Sequence, residues 1–145
     1  MRWPARVQAG GETAQHAITM DWVATCLEAA GAKAHPDYPL DGVSLLRVLE
    51  NPGATFQRDL FWRMKYRSQR AVRSGDWKYF ASEDGEFVFN LALDARERAN
   101  LAQREPQRLA ALRAKYEAWE QSIPAMPPDA AYSIPYTRAD LAHPS

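Results

Sequence analysis

Apolar residues recur along this chain with two rhythms. Between residues 18 and 30 they fall at Ile18, Trp22, Val23, Cys26, Leu27 and Ala30, close to the 3.6-residue period of a helix. Thr19 is placed to cap its start. Asp21 sits in the first turn, where negative charge suits the helix dipole, and Gly31 suits the left-handed position past the end. The pattern predicts a helix from Met20 to Ala30, with a wide apolar stripe that needs a large partner surface. A short helix is predicted from Leu45 to Leu49. Asp41-Gly42-Val43-Ser44 opens it and Asn51-Pro52-Gly53 stops it, because a residue before proline avoids the helical region.

From about Arg58 the rhythm shortens. Four β-type runs follow, at Leu60 to Arg63, Arg70 to Arg73, Trp77 to Phe80 and Phe87 to Asn90. Ser74-Gly75-Asp76 and Glu83-Asp84-Gly85-Glu86 mark hairpin loops between the last three. An antiparallel meander is the simplest arrangement. A last helix is predicted from Pro106, near its N1 position, to about Gln121. Leu109, Leu112, Tyr116 and Trp119 line one of its faces, which would cover one side of the sheet. The fold class is therefore α+β, a small four-stranded antiparallel sheet packed by a C-terminal helix. Ile123 to Ser145 holds five of the ten prolines and has no helical period. It reads as an extended strap or a disordered tail.

Composition narrows the function classes. The chain has 145 residues, with 18 basic and 18 acidic side chains and a formal net charge of zero. A dedicated nucleic-acid binder shows a basic excess, so no nucleic-acid partner is expected. No apolar run has the length of a membrane span. The start, MRWPARVQAGGE, lacks the apolar core of a secretory signal, so no signal peptide is expected in this chain. A single cysteine excludes an intrachain disulfide but leaves the compartment open, bacterial cytoplasm and periplasm included.

Few residues carry candidate chemistry. Cys26 lies on the apolar stripe with no cationic neighbour one helical turn away to lower its pKa, and it reads as a core residue. His16, His35 and His143 are scattered and form no metal-binding motif. Asp41-Gly42 and the Asp94-x-x-Glu97 pair lack the alternating oxygen ligands of a calcium loop. Asp94 reads as the acceptor of a local turn, with Leu101 plugging the sheet edge. Arg63, Lys65, Arg67, Arg70 and Arg73 are interleaved with Phe61, Trp62 and Tyr66. A solvated strand face with a charge-protected edge is one reading of that cluster. An anion-binding rim at Arg63, Arg67 and Arg70 is the other.

Several stretches, in order and with matching spacing, resemble one family. Arg2-Trp3-Pro4-Ala5-Arg6-Val7 with Gly10 resembles the "RWPG-[RK]-[IV]…G" segment of sulfatases. Met20-Asp21-Trp22-Val23-Ala24-Thr25 with Ala29-Ala30-Gly31 is similar to their "MD-[LW]-xPT…AAG" helix, with Ala24 in place of proline. Asp41-Gly42-Val43-Ser44-Leu45 resembles "DGxSL". Leu60-Phe61-Trp62-Arg63 followed by Ala71 to Tyr79 resembles "LFWR…AVRxGDWKY". Asp94-x-x-Glu97-x-x-Asn100-Leu101-Ala102 resembles "DxxExxNLA".

The resemblance covers about residues 1–120 and implies the C-terminal part of an alkaline-phosphatase-like α/β sulfatase fold. It implies three parts: a remnant of the large α/β domain over 1–53, the small sheet and helix over 54–122, and a proline-rich tail over 123–145. It also implies hydrolysis of sulfate esters in a complete enzyme, using a formylglycine made from cysteine in a CxPxR-type motif and a bound calcium ion. Those motifs lie upstream in the family. Cys26 is followed by Leu27-Glu28-Ala29-Ala30, so no catalytic or metal-binding residue is carried onto this chain, and the chain alone is expected to be inactive. Trp77, Asp94, Glu97 and Asn100 are implied to be structural. The expected partner is an upstream sulfatase catalytic segment, and a sulfate-ester substrate only in the complete enzyme. A related phosphodiesterase or phosphonate hydrolase, and a freestanding binding module, are the alternatives.

Overall fold

A computed structural model describes residues 2–130. The chain divides into two compact units, Met1–Arg58 and Asp59–Ser145.

The first unit holds helices α1, Asp21–Ala29, and α2, Leu46–Glu50, joined by irregular chain. Helix α1 stops as expected at Gly31, whose φ of +65° is one that glycine adopts without steric cost. Its start differs from expectation. No side chain caps it. Instead the Asp21 carboxylate reaches back to accept the Ile18 amide at 2.8 Å.

The larger difference is which way α1 faces. Its buried residues are Asp21, Ala24 and Thr25. Trp22 and Val23 of the predicted stripe are 45% and 55% exposed, and Cys26 is exposed as well, which corrects its assignment to the core. The reason is local. Asp21 and Thr25 are tied to the 43–45 backbone, so the polar face turns inward against Leu45, Leu46 and Val48. Periodicity identifies an apolar face but does not say that the chain itself contains what covers it.

The second unit is an antiparallel meander of β1, Asp59–Arg63, β2, Arg70–Ser74, β3, Trp77–Ser82, and β4, Gly85–Asn90, in that spatial order. Helix α3, Pro106–Ser122, lies on one face. Gly75, at φ +56°, makes the tight β2–β3 turn. Arg67 and Ser68, at φ 51° and 49°, turn the chain between β1 and β2.

The register pairs Phe61 with Val72, Val72 with Tyr79, and Tyr79 with Val88. Side chains alternate across a sheet, so these four share the helix-facing side. With Ala81, Leu112 and Tyr116 they build the core, in which Val72, Tyr79, Ala81 and Val88 are fully buried. Leu109 and Trp119 flank it from the helix, and Trp119 stacks on Phe61 with ring centroids 5.2 Å apart. The predicted α3 face is therefore the face that packs.

Candidate functional site

Four groups of polar residues could carry chemistry, and their hydrogen bonds decide what each can do. The first centres on Asp21, which is fully buried. Its carboxylate accepts the Ile18 amide at 2.8 Å, the Val43 amide at 3.0 Å and an Arg58 guanidinium N–H at 2.7 Å. Burial alone would raise its pKa, but the Arg58 hydrogen bond and the two amides outweigh that and hold it below the usual carboxylate value. Thr25 Oγ1 donates to the Asp21 carbonyl at 2.7 Å and accepts the Leu45 amide at 2.9 Å. Gly42 packs so closely that a Cβ there would lie 2.3 Å from the Met20 carbonyl oxygen. The Gly42–Val43 stretch and the helix start are thus tied together through Asp21 and Thr25. Sequence reasoning missed Arg58 as the cation of Asp21. The 37-residue separation carries no periodic signal.

The second group is the basic cluster. Arg63 and Arg70 sit opposite each other across the β1–β2 ladder, and Arg67 lies in the turn between them. Arg63 donates to the Pro124 carbonyl at 2.9 Å and lies 3.8 Å from Glu120. Arg67 donates to both Asp84 carboxylate oxygens at 2.6 Å. Arg70 approaches the face of Tyr116, 6.0 Å from its centroid, in a pocket shared with Glu86, Arg113, Glu117 and Glu120. Arg63 and Arg70 are brought together, whereas Arg67 is turned toward Asp84.

The third group lies between that pocket and the core. Arg113 pairs with Glu86 through both guanidinium arms, and Tyr79 donates its hydroxyl to Glu86 at 2.8 Å. The Arg113 hydrogen bond holds the Glu86 carboxyl below its usual range. Burial, helped by Glu86, pushes the Tyr79 phenol up. The Tyr116 phenol is pushed up to about 12 by burial and by its hydrogen bond to Glu120. Each of these shifts moves a group away from neutrality. Tyr79, Glu86 and Arg113 form one hydrogen-bonded set, and Tyr116 donates to Glu120 beside it at 3.0 Å.

The fourth group is the Asp94 to Ala102 loop. Asp94 Oδ2 accepts the Arg98 and Ala99 amides at 2.7 and 2.9 Å. Glu97 receives Lys78 Nζ on both oxygens at 2.7 Å. Asn100 Oδ1 accepts the Val88 and Ala102 amides at 3.1 and 2.9 Å, and its Nδ2 donates to the Glu86 carbonyl at 3.2 Å. The Leu101 amide donates to the Val88 carbonyl at 2.8 Å. These bonds fasten the loop along β4. Trp77 borders the core rather than filling it, with the Arg108 guanidinium 3.8 Å above its ring. Tyr79, two residues on, is the buried aromatic.

The sheet face away from α3 carries a groove of about 370 Å³, where Trp62, Met64 and Phe80 meet Arg73 and the Lys78–Glu97 pair. Among the described residues no three histidine, cysteine or acidic side chains are placed to hold a metal ion. Asp21 accepts three N–H donors, Glu86 accepts two from Arg113 and the Tyr79 hydroxyl, and Cys26 is exposed on its helix. The described residues therefore do not fit a calcium site or a formylglycine precursor. His35 accepts the Asp37 amide and sits against Tyr38. His143 lies outside the described residues. No described helix is long and apolar enough to cross a membrane.

No family model matches the chain. Arylsulfatase K of Mus musculus is 34% identical to it over 61% of this chain and 18% of the relative. Among solved structures, BT4656 in complex with its substrate D-glucosamine-2-N,6-O-disulfate aligns with a TM-score of 0.68 at 21% identity, over 83% of this chain and 27% of that one. Ps i-CgsB aligns with a TM-score of 0.65 at 25% identity, over 81% and 27%. A putative sulfatase from Bacteroides thetaiotaomicron aligns with a TM-score of 0.57 at 24% identity, over 70% and 24%. The chain resembles the C-terminal portion of sulfatases in sequence and in its α+β fold, and it spans under a third of each of these proteins.

Proposed function

We propose that this chain is the C-terminal segment of a sulfatase-like hydrolase of sulfate esters, and that it serves as scaffold rather than chemistry. The observation that carries this reading is the fold match at TM-score 0.68 over 83% of the chain but only 27% of the matched protein. The engagement of Asp21, Glu86 and Glu97 by internal donors agrees with it. In this reading residues 1–53 belong to the large α/β domain, 54–122 are the small sheet domain and 123–145 a tail. Formylglycine and calcium belong to an upstream segment, where the metal would balance charge developing on the sulfate. Arg63, Arg67 and Arg70 are secondary candidates for rim contacts with an anionic substrate.

The test compares two purified proteins with a chromogenic aryl sulfate and an aryl phosphate diester. One is this chain; the other is the product of the gene extended upstream of Met1. The chain alone should release neither product. The extended protein should release the phenol from the sulfate faster than from the diester. An upstream sequence without a CxPxR segment, or turnover by the chain alone, would overturn the reading.

A further inference from the structure

The end of β1 and the segment that follows α3 are joined through side chains. Arg63 donates to the Pro124 carbonyl at 2.9 Å. Lys65 Nζ donates to the Pro128 carbonyl at 2.6 Å and also to the Ala130 carbonyl. Met126, half-buried, lines a cavity of about 200 Å³ with Arg63, Lys65, Arg70, Tyr116 and Glu120. Residues 124–130 thus lie as a strap across the basic end of β1. Pro124, Pro127 and Pro128 have no amide to donate, so the strap meets the two cations with carbonyl oxygens.

A carbonyl is a neutral acceptor, whereas a carboxylate or sulfate oxygen adds the attraction of a full charge to the same hydrogen bond. Arg67, Arg113 and Lys115 of this unit each bond a carboxylate directly. Arg63 bonds a carbonyl, and Glu120 stands 3.8 Å from it, outside hydrogen-bond distance. We propose that the strap is a built-in competitor at an oxyanion site formed by Arg63 and Lys65, its carbonyls standing where the oxygens of a sulfate ester bind once the strap is displaced. The proposal deepens the reading of Arg63 as a rim contact and rests on it. A ligand then binds only the fraction of molecules whose strap has lifted, and its apparent dissociation constant rises by the inverse of that fraction. Met126 is the anchor that sets the fraction, because it is the strap side chain seated in the cavity.

Glucose 6-sulfate is titrated into the isotopically labelled full chain, its Met126→Ser variant and a chain ending at Ile123, with glucose as the uncharged control. Amide shifts over residues 63–70 give the affinity, and exchange protection at Tyr79 and Val88 shows that the sheet is intact. Met126→Ser loosens the strap without altering charge, and the shorter chain removes it. Both should bind the sulfate ester about fivefold more tightly than the full chain, or better. Arg63→Gln or Lys65→Gln in either background should abolish the gain. Equal affinity with and without the strap overturns the inference and leaves the rim reading in place. Absence of binding in every form overturns both. A gain that survives Arg63→Gln and Lys65→Gln overturns the inference by placing the site elsewhere. Should the shorter chain lose its sheet protection, the Met126→Ser comparison decides. The readout is independent of hydrolysis, so a missing CxPxR segment upstream removes the functional reading without touching this result.

Discussion

The Arg58 guanidinium lies 2.7 Å from the fully buried carboxylate of Asp21. Both partners are withdrawn from water, the Arg58 side chain being 13% exposed. Removing one member of such a pair leaves an uncompensated buried charge, typically at a cost of about 3–5 kcal/mol. Arg58→Ala should therefore abolish or sharply lower the first unit's unfolding transition. Hydrogen exchange at the Val43 and Leu45 amides would show it, and native-like protection there in the variant would contradict the pairing.

The same carboxylate makes the first unit acid-sensitive. The folded pKa of Asp21 is depressed, so its stabilisation is present above the unfolded value of about 3.9. It is lost as pH falls through the lower folded value. The protection factor at Val43, taken against the intrinsic exchange rate at each pH, should fall below about pH 4, and Asp21→Asn should flatten that dependence. A Val43 amide equally protected at pH 3 and pH 7 would argue against a charged Asp21.

Gly42 and Gly75 test two different needs for glycine. A Cβ at Gly42 would strike the Met20 backbone, so Gly42→Ala should cost about 1–3 kcal/mol through overpacking. Gly75 has open space but a φ of +56°, so Gly75→Ala should cost about 1–2 kcal/mol through conformation alone. Gly75→Asn should recover part of that loss, since asparagine tolerates the left-handed region, whereas Gly42→Asn should not. Denaturation midpoints of the four variants decide it.

Tyr79 and Trp77 should differ in weight. Tyr79 is fully buried and donates to Glu86, so Tyr79→Ala should cost about 3–5 kcal/mol, as for other large aromatic truncations in a core. Trp77 keeps one side under Arg108, a contact worth about 0.5–1 kcal/mol when exposed. Trp77→Ala should therefore shift the urea midpoint clearly less than Tyr79→Ala. Equal shifts would place Trp77 in the core alongside Tyr79.

Much of the second unit was legible because its signals are local. Turn chemistry at Gly75 and Gly85, a proline at the start of α3, and the 109–112–116–119 spacing each act over a few residues. The strands and α3 accordingly fall close to their predicted bounds. The first unit was legible only in outline. The direction in which α1 faces is set by Asp21, whose partners lie 22 and 37 residues away, and by an apolar face with little to cover it inside the unit. Cys26 was misplaced for the same reason. At the candidate sites, Asp94 and Asn100 could be read as local backbone acceptors. The engagement of Arg67 by Asp84 and of Lys78 by Glu97 depends on which loops fold back, and nothing in the spacing specifies that.

The loop fastened along β4 by Asn100 and Leu101 also bears on how this sheet can fail. A strand with unpaired amides and carbonyls is a template on which foreign strands grow. Here the fourth strand is sheathed by its own chain, leaving the first, Asp59–Arg63, as the other border of the ladder. Its charged ends, Asp59 and Arg63, frame Leu60, Phe61 and Trp62. Fibre growth should accordingly proceed from β1. Asn100→Ala, by loosening the sheath, should open a second growing end and shorten the lag before thioflavin-positive material forms.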